Sequence, residues 1–468
     1  MKLKTIVTFL YLCISLLAFI SFDTSLSVWI SFLVSFCVIT LIAYYHLNIE
    51  NVFSPFLGAY VIFNYLFFFI APIFQISSFN LVNSRFPNDF IFSNSSVITG
   101  NTLIVLFNVV FFLSYIYFKT NNKTSSLISE RTSIFLKNTP VAILTIFIIC
   151  VFVVYFNYEY VITDIVESIY ITNAKSESVS SLLLRKKFLF FLPMAGVVVS
   201  ASYLKAKNKL SANTITIFAC LIAFLLMLIF FKNTFTEKRN TLGPIYIALI
   251  FLFFPKVLNS NAKFFLFLFL SMVVVFPLMS SLTHIDANLD QIIDNPKLLY
   301  ESFLRFGTIS GAFESLHYDA FSNILATLEY VEINGISWGY QLLGVCLFFI
   351  PRSIWASKPI STGELIGDYL MNTTPRNYSN LSNPLVSEGY INFGIIGVAL
   401  LAIILAYFIV KFIAWIISKH DFKEFIAFYF ALHLLFLLRG DLTNGVSYFV
   451  GPLLSVYFLP KLLIKLFR

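Results

Sequence analysis

The chain reads as an all-α, polytopic membrane protein. Two observations lead there. Charged residues fill only 12% of the 468 positions and hydrophobic ones 59%, whereas a soluble domain carries roughly 25% charged residues. Apolar runs close to the roughly 20 residues that cross a bilayer recur along the chain. No soluble stretch stands apart, so residues 1–468 count as a single membrane domain.

Taken in order, helices are predicted at about 4–22, 26–46, 55–76, 96–118, 141–158, 188–204, 213–231, 242–255, 262–282, 391–411, 425–438 and 446–464, about 12 spans in all. The first begins basic (Lys2, Lys4) and ends at Phe22-Asp23 without a small-residue cleavage pattern, so it is expected to stay as a helix and not be removed as a signal peptide. The eighth is short, and its ends are the least defined.

The loops give the orientation. Lys119, Lys123, Arg131 and Lys137, then Lys205, Lys207 and Lys209, then Lys256, Lys263, Lys419 and Lys423 fall on one side, together with Lys2, Lys4, Lys461, Lys465 and Arg468 in the tails. Short basic loops face the cytoplasm, and an even helix count places both termini there. The net charge of +8 is used in this way, so the expected contact is anionic membrane lipid and no nucleic-acid partner. Cys13, Cys37, Cys150, Cys220 and Cys346 are scattered in apolar segments with no CxxC spacing and read as small core residues.

The opposite side differs. The loop from Glu159 to Ser181 is partly acidic, and the cations crowd helix ends: Arg185, Lys186 and Lys187; Lys238 and Arg239; Arg352 and Lys358; Arg439. One large external loop, 283–390, stands apart. Asp294 to Glu332 has helix-like spacing. Leu342 to Ile350 is apolar but too short to span, and ends at Pro351-Arg352; it reads as a re-entrant or half-buried helix. Loops this long are uncommon and usually functional.

Arg keeps its charge and grips phosphate through two parallel hydrogen bonds. Arg239, Arg352 and Arg439 on the side that the charge rule disfavours therefore suggest a site for a lipid pyrophosphate, against the simpler reading of Arg reaching headgroups. Asp441 could orient Arg439 or act as a base. Arg185 to Lys187 could guide an anionic lipid or merely anchor a helix entry. Glu388, placed just before the tenth helix, could take a proton from a sugar hydroxyl or bond a helix N-terminus. His317, beside Tyr318 and Asp319, is a base candidate or a structural histidine. His284, Asp286 and Asp290 are close in sequence, but there is no Asp-x-Asp, HExxH, P-loop or GxSxG. No metal or cofactor is assigned.

Five pieces in order carry a resemblance: LLLRKKFLFFLP (Leu182 to Pro193), EKRNTLG (Glu237 to Gly243), FFIPRSIWASKP (Phe348 to Pro359), SEGYINFGIIG (Ser387 to Gly397) and LRGDLTNGVSYF (Leu438 to Phe449). In these the chain resembles the Wzy-type polymerases of O-antigen and enterobacterial common antigen. The first 180 or so residues match in hydropathy alone.

The resemblance implies a helical glycosyltransferase of the GT-C type in the bacterial inner membrane, with a periplasmic site and undecaprenyl-pyrophosphate-linked oligosaccharide repeat units as substrates. Carried over by position, Arg352, Arg239 and Arg439 look like the family's periplasmic arginines and would bind the pyrophosphate; the resemblance leaves the base unassigned, and Glu388 or Asp441 is expected to activate the acceptor hydroxyl. Arg185, Lys187, Arg305, Lys358 and His317 would contact substrate. A flippase and a chain-length regulator are the partners to expect. The related O-antigen ligase carries a His late in its large loop; this region reads Asn383-Pro384-Leu385-Val386-Ser387-Glu388, which favours a polymerase. A ligase of the same fold and a lipid-linked oligosaccharide flippase of about 12 helices are the alternatives.

Overall fold

The computed structural model describes residues 3–79, 92–121, 139–170, 183–207, 211–234, 236–237, 239–278, 289–304, 313, 316–374, 381–418 and 421–467. Among these the regular structure is all helical. Ten helices are long and apolar enough to cross a membrane: α1 (Leu3–Ile20), α2 (Leu26–Ile49), α3 (Pro55–Ser77), α4 (Asn94–Asn121), α5 (Thr139–Glu167), α6 (Arg185–Ala206), α7 (Ala212–Phe231), α9 (Asn261–Leu278), α15 (Leu385–Ile417) and α17 (Leu442–Leu466). Between them run α8 (Arg239–Phe253) and α16 (Asp421–Arg439). Among the described residues between α9 and α15 lie the shorter α-helices α10 (Leu289–Asp294), α11 (Lys297–Ser302), α12 (Ala320–Asn334), α13 (Tyr340–Cys346) and α14 (Thr362–Thr373).

Burial grades the helices. The apolar core of α3 is wholly enclosed and that of α6 largely so, whereas α1 and α5 leave most of their apolar surface outward. An enclosed helix in lipid cannot rely on the hydrophobic effect for specific pairing, so polar contacts and close packing supply it. The Tyr60 hydroxyl donates to Asn108 Oδ1 at 2.6 Å, and Asn108 Nδ2 donates to Asn64 Oδ1 at 2.9 Å. This ladder ties α3 to α4. At one end of the bundle Glu50 pairs with Lys119 and accepts from the Tyr115 hydroxyl at 2.9 Å. At that same end Lys205 donates to the Leu252 carbonyl. The other end is where α6, α15 and α17 begin, and the short helices α10 to α14 lie in the chain between two helix ends there.

Three expectations change. The fifth helix runs on past its expected end at residue 158: its span reaches Glu167, and helical backbone continues to Tyr170. The re-entrant segment is helical only over Tyr340–Cys346, followed by turns to Ile350. Glu388 does not precede a helix; it sits in the first turn of α15, which starts at Leu385.

The reason for the last change is a break inside α15. Phe393 (φ −144°, ψ 23°) and Gly394 (φ 60°, ψ −144°) leave helical geometry. Glycine alone adopts such a backbone without strain. The chain turns sharply enough that Gly389 and Gly397 meet, and a Cβ on Gly397 would stand 2.0 Å from the Gly389 carbonyl oxygen. The glycines of SEGYINFGIIG thus build an elbow, with residues 385–392 as its short arm.

The loop fastens that elbow. The Ile391 carbonyl accepts from the Ser337 N–H at 2.8 Å, and Asn392 Oδ1 accepts from Leu342 N–H at 3.3 Å. The turn that does this puts Trp338 at φ 50°, a strained conformation for a bulky residue that costs about 1–3 kcal/mol.

Candidate active site

Two carboxylates share the N-terminus of α17. Asp441 is its N-cap, and its Oδ1 accepts from the Asn444 N–H at 2.8 Å while Oδ2 accepts from Asn444 Nδ2 at 2.7 Å. Glu388, from the elbow's short arm, accepts the Leu442 N–H on Oε1 at 2.8 Å. The same oxygen accepts from the Thr362 hydroxyl. Unmade backbone donors and the positive end of the helix dipole favour anions here. Both side chains are buried, and Glu388 Oε2 has no hydrogen-bond partner. A buried polar atom left unbonded costs stability; this oxygen can accept a hydrogen bond when the carboxyl is ionised and donate one when it is protonated.

The large loop closes over the pair. Ser361 and Thr362 open α14, with Ser361 as its N-cap. Gly363 brings the α14 backbone so close that a Cβ there would lie 3.5 Å from Asp441 Oδ2. Burial pushes the Asp441 carboxyl above the usual range; hydrogen bonds from Asn444, the charge of Lys187 and the Ser361 hydroxyl oppose that shift.

Lys187 lies in the π-helical turn Leu183–Phe188, which forms the start of α6. Its Nζ donates to Ser447 Oγ at 2.6 Å and lies 3.7 Å from the centre of the Tyr448 ring. Neighbouring cations are engaged too. The Arg185 guanidinium stacks 4.8 Å above Tyr160, and Lys186 pairs with Asp164 at 2.8 Å. Lys232, 1% exposed, pairs with Glu237 at 2.5 Å and donates to the Lys186 carbonyl at 2.7 Å. Burial lowers the affinity of Lys232 for its proton, and Glu237 works against that.

Of the three arginines, Arg439 and Arg352 are held in different places. Arg439 pairs with the buried Asp319 at 3.1 Å, and Ser382 Oγ donates to the same carboxylate oxygen at 2.5 Å. Asp319, and not Asp441, is therefore the acid that orients Arg439. Arg352 is exposed and donates to its own loop, to the Lys358 carbonyl at 2.6 Å and the Pro359 carbonyl at 3.4 Å. Lys358 in turn donates to the Phe348 and Ile350 carbonyls at 2.6 and 3.0 Å. The two residues brace the loop against itself. Burial and the charge of Arg352 lower the Lys358 proton affinity. Arg239 opens α8, but its side chain lies outside the described residues, as do Arg305, His284 and Asp286. His317 sits half-buried, edge-on to Phe276 with ring centres 5.6 Å apart.

Sequence reasoning missed Thr362, Asp319 and Lys232 as members of this end. A lysine directly after an apolar run and five residues before a glutamate was a readable sign for Lys232. Nothing local distinguishes Thr362 from any other helix-entry threonine.

The arrangement offers a buried carboxylate with one oxygen unbonded, a second carboxylate beside it, and a lysine whose charge reaches that second one. Such a site can accept a proton and stabilise an anion within one enclosure. No protein-family model matches the chain, and no curated protein and no solved structure matches it.

Proposed function

We propose that this chain is a polysaccharide polymerase of the Wzy type, a GT-C-like glycosyltransferase of the bacterial inner membrane that joins undecaprenyl-pyrophosphate-linked oligosaccharide repeat units on the periplasmic face. The reading takes α8 and α16 as further passes, giving twelve. Both termini then lie on the cytoplasmic side with Lys119 and Lys205, and the Glu388 end faces the periplasm. The observation that carries the proposal is Glu388 Oε2, a buried and unbonded carboxylate oxygen beneath the large loop.

In the proposed reaction an acceptor hydroxyl donates its hydrogen bond to Oε2. Its oxygen attacks the anomeric carbon of the donor, its proton passes to Glu388, and the bond from that carbon to the pyrophosphate breaks with the electron pair leaving on the phosphate. Asp441 is fixed by Asn444 and keeps a second negative charge near the base. Lys187, with Arg352, Arg239 and Arg439 as the further cations, offsets charge on the leaving group. Arg185, Lys358, Arg305 and His317 would border the substrate path.

The test uses the purified full chain in proteoliposomes with synthetic lipid-linked repeat units. The expected product is a ladder of chains still attached to undecaprenyl pyrophosphate. Transfer to a different acceptor would indicate a ligase, and movement across the bilayer without a new glycosidic bond would indicate a flippase; either outcome would overturn the proposal.

A further inference from the structure

We infer that the turn-rich segment 338–354 is seated in the membrane surface, with bilayer acyl chains covering its outward apolar side chains. Trp338, Leu343, Phe349 and Ile354 are 77%, 47%, 65% and 78% exposed. An apolar group of this size left facing water is a liability unless something covers it.

Continuity identifies the cover. Ser337 is hydrogen-bonded to the Ile391 carbonyl, and Gly339 packs over the Phe393 ring. Just past that contact Ile395 and Ile396 are 61% and 77% exposed on α15, a helix long and apolar enough to span. The loop patch therefore extends the lipid-facing side of a membrane helix at its outer end. Its composition suits that depth, since tryptophan collects where headgroups meet acyl chains.

The loop's own bonding agrees. Lys358 Nζ turns inward onto two backbone carbonyls, and Arg352 is bonded to two more. Four backbone carbonyls that would be costly in the bilayer surface are satisfied within the loop, and the outward apolar side chains stand beside the exposed Arg352, a cation that suits the headgroup level. The strained backbone of Trp338 holds the indole on this outward face. The inference does not depend on the polymerase reading.

The experiment uses the full chain in lipid bilayers with Trp29, Trp355 and Trp415 changed to Phe, leaving Trp338 as sole fluorophore. Lipids brominated near the carbonyl end of the acyl chains should remove most of its emission, and aqueous iodide little of it. A second protein, with Trp338→Phe and Ile354→Trp in the same background, repeats the measurement at the far end of the patch. Strong iodide quenching without bromolipid quenching at either position would place the segment in water. Protection from both quenchers would mean a protein surface, such as a second copy, covers it. Either result overturns the inference.

Discussion

Glu388 accepts the backbone N–H of Leu442, which lies 54 residues further along the chain. A side chain from the short arm of α15 thereby completes the first turn of α17, where Asp441 already serves as the cap. Two acids are held together because one helix end has donors for both. The same geometry leaves Glu388 Oε2 unbonded.

Glu388→Gln keeps the shape and can still accept the Leu442 N–H, but it is no base. We expect polymer formation to fall by roughly 10²- to 10⁴-fold, the usual contribution of a positioned base. Thermal stability in detergent should change little, since the amide oxygen keeps the bond from Leu442. Polymerisation at the wild-type rate would remove Glu388 from the proposed chemistry.

Thr362→Val deletes the hydroxyl that holds Glu388 Oε1 and retains the volume. The expected loss is about 1 kcal/mol of stability, with a lower kcat and little change in KM. Thr362→Ser should restore both. Steady-state kinetics of the three proteins distinguish a positioning hydroxyl from a mere packing contact.

Asp441 supplies a pH dependence. Its folded-state pKa lies above the ordinary 3.8 because of burial. The folded chain therefore holds this proton more tightly than the unfolded chain. Stability from the group is complete below 3.8 and declines as pH rises through the elevated value. Asn at this position remains a good cap and does not ionise. Melting of Asp441→Asn across acidic and neutral pH should show a shallower decline than the wild type; parallel curves would contradict the assignment.

Lys232 and Glu237 form a buried pair. Removing one member strands the other, at a cost of about 3–5 kcal/mol. Lys232→Met with Glu237→Leu should be far closer to the wild type than either single change. Thermal melts of the four proteins, read as a double-mutant cycle, measure the coupling.

Gly394→Ala forces a side chain into a backbone region nearly reserved for glycine. A destabilisation of about 1–3 kcal/mol is expected, measured by thermal melting of the purified protein. An unchanged melting temperature would mean that the elbow is not strained by a side chain.

The apolar helices were readable because lipid selects for one property, long apolar runs: each of the twelve expected segments falls on a helix among the described residues, and ten of these are long and apolar enough to cross a membrane. The acidic residues were readable as candidates for a related reason, since Glu388 and Asp441 are costly in such surroundings and stand out. Their relation was not readable. The Glu388–Leu442, Thr362–Glu388 and Arg439–Asp319 contacts join points far apart in the chain, and hydropathy carries no information on such pairing. Local pattern also misjudged the start of α15, because SEGYINFG looks like a loop until its glycines are seen to bend a helix.

That bend has an evolutionary consequence. The acid rides on a stub fastened to the exterior cover by Ser337 and Asn392, not on the rod embedded in lipid. Changes in the cover would carry the acid along with them, leaving the bilayer-spanning scaffold untouched. A lineage could thus alter what the site accepts while inheriting the same transmembrane frame.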